Sequence, residues 1–231
     1  MTTASTSLRN ALLFASTYAF PVVAFPLVTF AWWRASGGSW RFVTIVVGVP
    51  ILFGYLMPWV ATGIVRRWRF TSGPRLGSYY VHHGFIYGSK LAFALLLVIR
   101  SIPSVVTMFD DVAVVLVSGA VTAFGGCFHD AHAVRAGKIE IDGGIEALMT
   151  FAPVTYFAMG ATYAAVTLTA SDLLGSNPGR LLWVFPASVI VMCAVPSLVF
   201  IAVDPPTRTL FRERSFRQRH RSLGAQQGRS T

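Results

Sequence analysis

Long apolar segments, almost free of charge, recur along the chain and indicate its architecture. Each is about 20 residues long, enough to cross a hydrocarbon core of about 30 Å as a helix. Lipid cannot hydrogen-bond bare amide groups, so such segments must be helical. We therefore predict an all-α polytopic membrane protein, a single bundle of about six transmembrane helices. The predicted spans are Ala11–Trp33, Phe42–Val65, Tyr80–Ile99, Val112–Phe128, Ile145–Ala170 and Leu181–Val203.

The pattern contains no repeat or internal boundary, so residues 1–203 are predicted to form one transmembrane domain. Residues 204–231 are predicted to be a disordered basic cytoplasmic tail. The first apolar run is too long for a signal peptide, so we expect it to remain as a span. Prolines in the first two spans should kink them and leave room for a cavity, although neighbouring helices often compensate for such kinks. These prolines are Pro21, Pro26, Pro50 and Pro58.

Composition and charge agree with this membrane interpretation. The chain of 231 residues is 54% hydrophobic and only 12% charged, which excludes an ordinary water-soluble domain. With a cytoplasmic N-terminus, 14 Lys and Arg residues fall on the cytoplasmic side and 4 on the other. The positive-inside rule then predicts that both termini are in the cytoplasm. We expect the membrane to be the cell membrane. Because topology accounts for most of the +10 net charge, no nucleic-acid partner is inferred.

The placement of histidine is the most informative chemical feature. His82 and His83 enter the third predicted span, and His129 and His132 leave the fourth. These two spans form a hairpin, so the two pairs should lie at the same membrane level. On a continuing helix, residues three positions apart share a face. Asp130 lies between the second pair, and Glu146 begins the fifth span at the same level.

Imidazole and carboxylate groups together suit two kinds of chemistry. They can bind zinc, non-haem iron or manganese, with His82, His83, His129, His132 and Asp130 as the predicted ligands. They can also act as general acid and base without a metal. A third interpretation is that interfacial histidines only hydrogen-bond to headgroups and loop carbonyls.

A polar face continues from this cluster into the third span. His83, Tyr87 and Lys90 are spaced four and three apart, which places Lys90 about 10 Å deeper than His83. A charge inside a span costs at least about 2.5 kcal/mol on insertion scales, so Lys90 should face a cavity or a partner. The alternative is that its long side chain reaches back to the interface.

The fourth span also carries a series of small residues at intervals of four, namely Ser118, Thr122 and Gly126. Such a series lets two helices approach closely whatever the function of the protein. Tight packing is therefore the favoured explanation of these hydroxyl groups, but it does not explain His129 and His132.

Three functions follow from these patterns. The first is an intramembrane enzyme acting on a lipid- or isoprenoid-like substrate at the cytoplasmic interface; it would use the histidines and Asp130, with Glu146, Lys90 and Tyr87 assisting. The second is a small transporter in which Lys90 and the histidines relay protons, for which a homodimer would help. The third is a non-catalytic scaffold. Membrane lipids are partners in every case, and the chain contains none of the prenyltransferase, desaturase or hydrolase signatures.

Overall fold

The computed structural model describes residues 3–64, 66–101 and 110–204. Within these ranges, six helical segments are long and apolar enough to cross a membrane, which confirms the predicted number of spans. The predicted tail lies outside the described residues from position 205 onward. We call the segments the first to sixth spans, and they cover Asn10–Ala35, Trp40–Gly63, His83–Ser101, Asp110–Arg135, Gly144–Leu174 and Pro178–Val203.

The first two spans are not regular α-helices. The first passes through a π-helical turn at Ala15–Ala19, and the second through π-helical turns at Thr44–Gly48 and Trp59–Ile64. The first two of these turns come shortly before Pro21 and Pro50, where the regular hydrogen-bond ladder is interrupted. The α-helical segments are Thr3–Phe14, Phe20–Ala35, Trp40–Val43, Val49–Pro58, His83–Ser101, Asp110–Arg135, Gly144–Leu174 and Leu181–Val203, with a 3₁₀ turn at Pro178–Arg180.

One of these prolines explains how the second and fifth spans are held together. Pro50 has no N–H to donate to Val46 O, the carbonyl four residues earlier. The hydroxyl of Tyr163, which is only 1% exposed, donates to that oxygen at 2.7 Å. A side chain from another span thus satisfies a carbonyl that its own helix leaves without an α-helical partner.

Short strands at one end of the bundle were not predicted. Strand β1 (Trp68–Phe70) pairs antiparallel with β4 (Ile139–Ile141), and β2 (Arg75–Leu76) pairs with β3 (Tyr79–Tyr80). The all-α prediction is therefore wrong for these two connections, although the chain is mostly helical. Because β1 follows the second span and β4 follows the fourth, the β1–β4 ribbon joins two loops across one end of the bundle.

Charged groups at this ribbon end pair with one another. The Arg69 guanidinium donates from Nε to Glu140 Oε2 at 2.7 Å across the ribbon. Arg67, which is buried, donates to Asp204 Oδ1 at 2.9 Å at the end of the sixth span. These contacts stabilise the ribbon end, which carries the arginines that predict a cytoplasmic location.

Candidate functional site

A cavity of about 720 Å³ lies beneath the β1–β4 ribbon. The first, third, fourth and fifth spans form its walls, and mainly apolar side chains line it. The lining residues come from the ribbon, from Tyr80 of β3 and from the part of each helix nearest to them, and they reach Ala94, Val121 and Met159 near the middle of their spans. The cavity therefore extends from the ribbon end to about the middle of the bundle.

Asp130 is at the centre of the polar part of this cavity. The fourth span continues as a helix past the predicted end at Phe128 to Arg135, so Asp130 and its neighbours are helical. His129 donates from Nδ1 to Asp130 Oδ1 at 2.9 Å, and the Tyr156 hydroxyl donates to Asp130 Oδ2. Both oxygens of this carboxylate therefore accept a hydrogen bond from a side chain.

This arrangement leaves one nitrogen of His129 available. The Nδ1–H group donates the hydrogen bond that Asp130 accepts, so in a neutral ring Nε2 is the atom without a proton. Nε2 is buried and has no hydrogen-bond partner within the described part of the chain. A carboxylate that fixes the tautomer of an imidazole in this way prepares the other nitrogen to accept a proton.

Tight packing of the fourth and fifth spans brings Tyr156 to Asp130. A Cβ atom at Gly126 would lie 2.6 Å from the Tyr156 ring, and one at Gly160 would lie closer still to Thr122 Oγ1. Only glycine allows these two approaches. The predicted small-residue series therefore packs as expected, and Asp130 follows Gly126 by four residues on the same helix face.

Lys90 lies deeper in the same cavity. Its half-buried side chain donates from Nζ to Ser16 Oγ of the first span at 2.7 Å. Lys90 therefore has a partner inside the bundle and lines the cavity. This agrees with the interpretation that it faces a cavity or a partner. An ammonium group has three N–H donors, so two remain for other acceptors.

His83 is enclosed by aromatic rings on the cavity wall. It is 5% exposed, and neither ring nitrogen has a hydrogen-bond partner among the residues described. The rings of Phe70 and Tyr87 each lie 5.2 Å from it, centroid to centroid. Buried polar atoms in native proteins usually have a partner, and His83 lines the cavity, where a bound molecule would supply one.

Other predicted site residues have different surroundings. His82 precedes the third span, which begins at His83, and donates from Nε2 to Thr17 O at 2.9 Å. Pro21 has no N–H for that carbonyl, so His82 has a structural role like that of Tyr163. His132 lines the cavity but donates from Nδ1 to Phe128 O of its own helix at 2.7 Å. Glu146 is exposed and does not line the cavity.

The predicted metal ligands do not converge. Across the described ranges, no group of three or more His, Cys, Asp or Glu side chains is close enough to hold an ion. His82 and His132 use one nitrogen each on backbone carbonyls of different helices. The prediction of a zinc, iron or manganese ion bound by these residues thus finds no support in the arrangement.

Two polar residues of the site were missed by the sequence analysis. Tyr156 and Ser16 come from the fifth and first spans, and neither has a distinctive spacing to the histidines. The small-residue series on the fourth span could have indicated Tyr156, because such a series requires a closely packed partner helix. Ser16 had no comparable signal.

Comparison with known proteins gives no relative of this chain: no family model, curated protein or solved structure matches it.

Proposed function

We propose that this protein is an intramembrane enzyme that performs acid–base chemistry on a lipophilic substrate. The observation that carries the proposal is the hydrogen-bonded series Tyr156–Asp130–His129, which ends at an unpartnered imidazole nitrogen on the wall of an apolar cavity. Pockets that combine an apolar lining with a few convergent polar groups are typical binding sites for small molecules.

Each polar group has a role in this proposal. His129 Nε2 is the general base, and Asp130 holds its ring in the required tautomer and stabilises the imidazolium that forms. Tyr156 fixes the Asp130 carboxylate. Lys90 binds an oxygen atom of the substrate and stabilises negative charge that develops there. His83 is a second candidate for proton transfer, because both of its nitrogens are buried without partners.

The extent of the cavity favours an enzyme over a transporter. A transport path must connect both sides of the membrane, and substrate sites in carriers lie at the interface of repeats near the midplane. The lining residues described above extend from the ribbon end to about the middle of the bundle. On the arginine distribution we place this half at the cytoplasmic leaflet.

Lipid profiling tests the proposal across all membrane lipids at once. The protein is reconstituted into liposomes of total membrane lipid in deuterated buffer, and mass spectrometry follows every lipid that is consumed or that gains deuterium. We expect conversion by the native chain and a loss of about 10²- to 10⁴-fold in His129→Asn, the usual contribution of a general base. Equal conversion by the native chain and His129→Asn would refute the assignment.

A pair of tyrosines on the fifth span supplies a matched control. Tyr156→Phe and Tyr163→Phe each remove one hydroxyl whose hydrogen bond joins the fifth span to another span. Tyr156→Phe should slow conversion because Asp130 loses a donor, whereas Tyr163→Phe should leave the rate per folded molecule unchanged. A similar loss in both variants would indicate that the site responds only to general destabilisation.

A further inference from the structure

Several residues that line the cavity at one edge are also largely exposed. Leu12 of the first span is 57% exposed and Phe128 of the fourth span is 56% exposed, yet both line the cavity. Leu8, Val121 and Gly125 share this property. Lining residues that remain largely exposed are expected at the rim of an opening, and these five come from the first helix, Thr3–Phe14, and the fourth span.

The environment of two adjacent glycines supports an opening at this position. A Cβ atom at Gly126 would meet the Tyr156 ring of the fifth span, but one at Gly125 would have no atom within 4 Å from the rest of the described chain, apart from its chain neighbours and nearby helix backbone. Gly125 nevertheless lines the cavity and is exposed. The helix is therefore packed closely on one side of this pair and open on the other.

The chemistry of the rim indicates what passes through it. Leu12, Val121 and Phe128 belong to segments apolar enough to cross a membrane, so we expect their exposed faces to contact hydrocarbon. A solute from water would have to lose its hydration to cross this rim, whereas a molecule already dissolved in the bilayer would not. Past the rim, the Lys90 ammonium and the Ser16 hydroxyl offer hydrogen-bond donors to an oxygen atom.

We infer that the opening between the first and fourth spans at Gly125 is a lateral portal. Through it a single-chain lipophile with an oxygen-containing head group passes from the bilayer into the cavity. The inference rests on the proposed function, since it assumes that the cavity binds a substrate, and it narrows the substrate class to membrane-dissolved molecules. Gly125 is then a residue that determines access, because any large side chain there would fill the opening.

Photolabelling in liposomes tests the portal. The probe is a long-chain fatty alcohol with a diazirine in its chain, added to the bilayer and photolysed, with adducts mapped by mass spectrometry. We expect adducts within the part of the third span that contains Tyr87 and Lys90. Gly125→Phe should lower them by at least about tenfold, a large change on the scale of binding equilibria. Adducts on lipid-facing residues of the sixth span, such as Leu198, should not change.

The matched control is Ala120→Phe, which adds the same ring to an exposed position on the same helix that does not line the cavity. It should retain full labelling of the third span. Equal labelling of Gly125→Phe and the native chain, equal loss in both variants, or absence of third-span adducts from the native chain would each overturn the inference.

Conversion measured on the same samples separates the two proposals. If labelling depends on Gly125 but no lipid is converted, the portal stands and the proposed chemistry fails. If Gly125→Phe converts lipid as fast as the native chain, the portal fails and the chemistry stands.

Discussion

The hydrogen bond between Tyr163 and Val46 allows the role of proline in this fold to be measured. Pro50 removes the N–H that an α-helix would supply to Val46 O, and the Tyr163 hydroxyl donates to that oxygen at 2.7 Å. Tyr163→Phe removes the hydroxyl and leaves the carbonyl buried without an α-helical partner. Pro50→Ala restores an N–H at position 50. Tyr163→Phe should therefore lower the free energy of unfolding by less in the Pro50→Ala background than in the native chain.

The size of the effect follows from the burial of the pair. Leaving one buried polar group unpaired costs about 1–3 kcal/mol in proteins generally. Hydrogen bonds between membrane helices average about 0.6 kcal/mol, with a maximum near 1.7 kcal/mol. Since Tyr163 is only 1% exposed, we expect a loss of about 1–1.5 kcal/mol from Tyr163→Phe in the native background, near the upper part of that range.

The assay is a double-mutant cycle on the free energy of unfolding, measured by reversible denaturation in mixed detergent micelles. In the Pro50→Ala background, the loss caused by Tyr163→Phe should be smaller by more than about 0.5 kcal/mol, the margin within which independent sites count as additive. The cycle cancels the effect of Pro50→Ala itself on packing. Equal losses in the two backgrounds would refute the account of the freed carbonyl.

Two further predictions concern the site and its ribbon end. Gly126→Ala should lower the free energy of unfolding by about 1–3 kcal/mol, because its Cβ would lie 2.6 Å from the Tyr156 ring. In the same denaturation assay, Gly125→Ala should be neutral or stabilising by up to about 1 kcal/mol; equal losses would contradict the packing described. Burial, with a smaller effect of Tyr18, raises the pKa of the Tyr80 hydroxyl from 10.0 to about 12, so its contribution to stability is intact below pH 10.0 and is lost as the pH rises to about 12. The Tm of the native chain should therefore fall more steeply over this range than that of Tyr80→Phe, and parallel curves would contradict this.

The helical part of the fold could be predicted because the bilayer allows few alternatives. Segments such as Leu181–Val203 carry no charge and are long enough to span, so their number and approximate ends follow from hydropathy alone. The π-helical turns could not be predicted in the same way. Pro21 and Pro50 indicated a disturbance, but which carbonyls they free and which side chains bind those carbonyls depend on contacts between distant spans.

The ribbon was missed because its strands are short and isolated in the sequence. Trp68–Phe70 and Ile139–Ile141 have three residues each, too few for an alternating pattern to stand out, and they lie on either side of two spans. The pairing of these two strands also gives a nearby carboxylate a structural role. Glu140 is close in sequence to Glu146, which was predicted to assist at the site, but it pairs with Arg69 across the ribbon.

The histidines show how much of the site can be predicted from the positions of residues in the sequence. The hairpin of the third and fourth spans does bring His83 and His129 to one cavity, as their matching depth predicted. Depth does not determine the direction of a side chain around the helix axis, however. His82 differs from His83 by one position but lies in the turn before the helix, and its ring bonds to the first span and does not line the cavity.

Packing and chemistry are not alternative explanations of the fourth span. The series Ser118, Thr122 and Gly126 was attributed to close helix approach, and the contact of Gly126 with Tyr156 agrees with that. The next residue at the same interval is Asp130, so the face that packs against the fifth span also carries the carboxylate. Because Gly126 has no side chain, the Tyr156 ring crosses the helix there and its hydroxyl reaches Asp130 one turn later. The close approach of the two spans is thus the physical cause of the polar series on which the proposed acid–base chemistry depends.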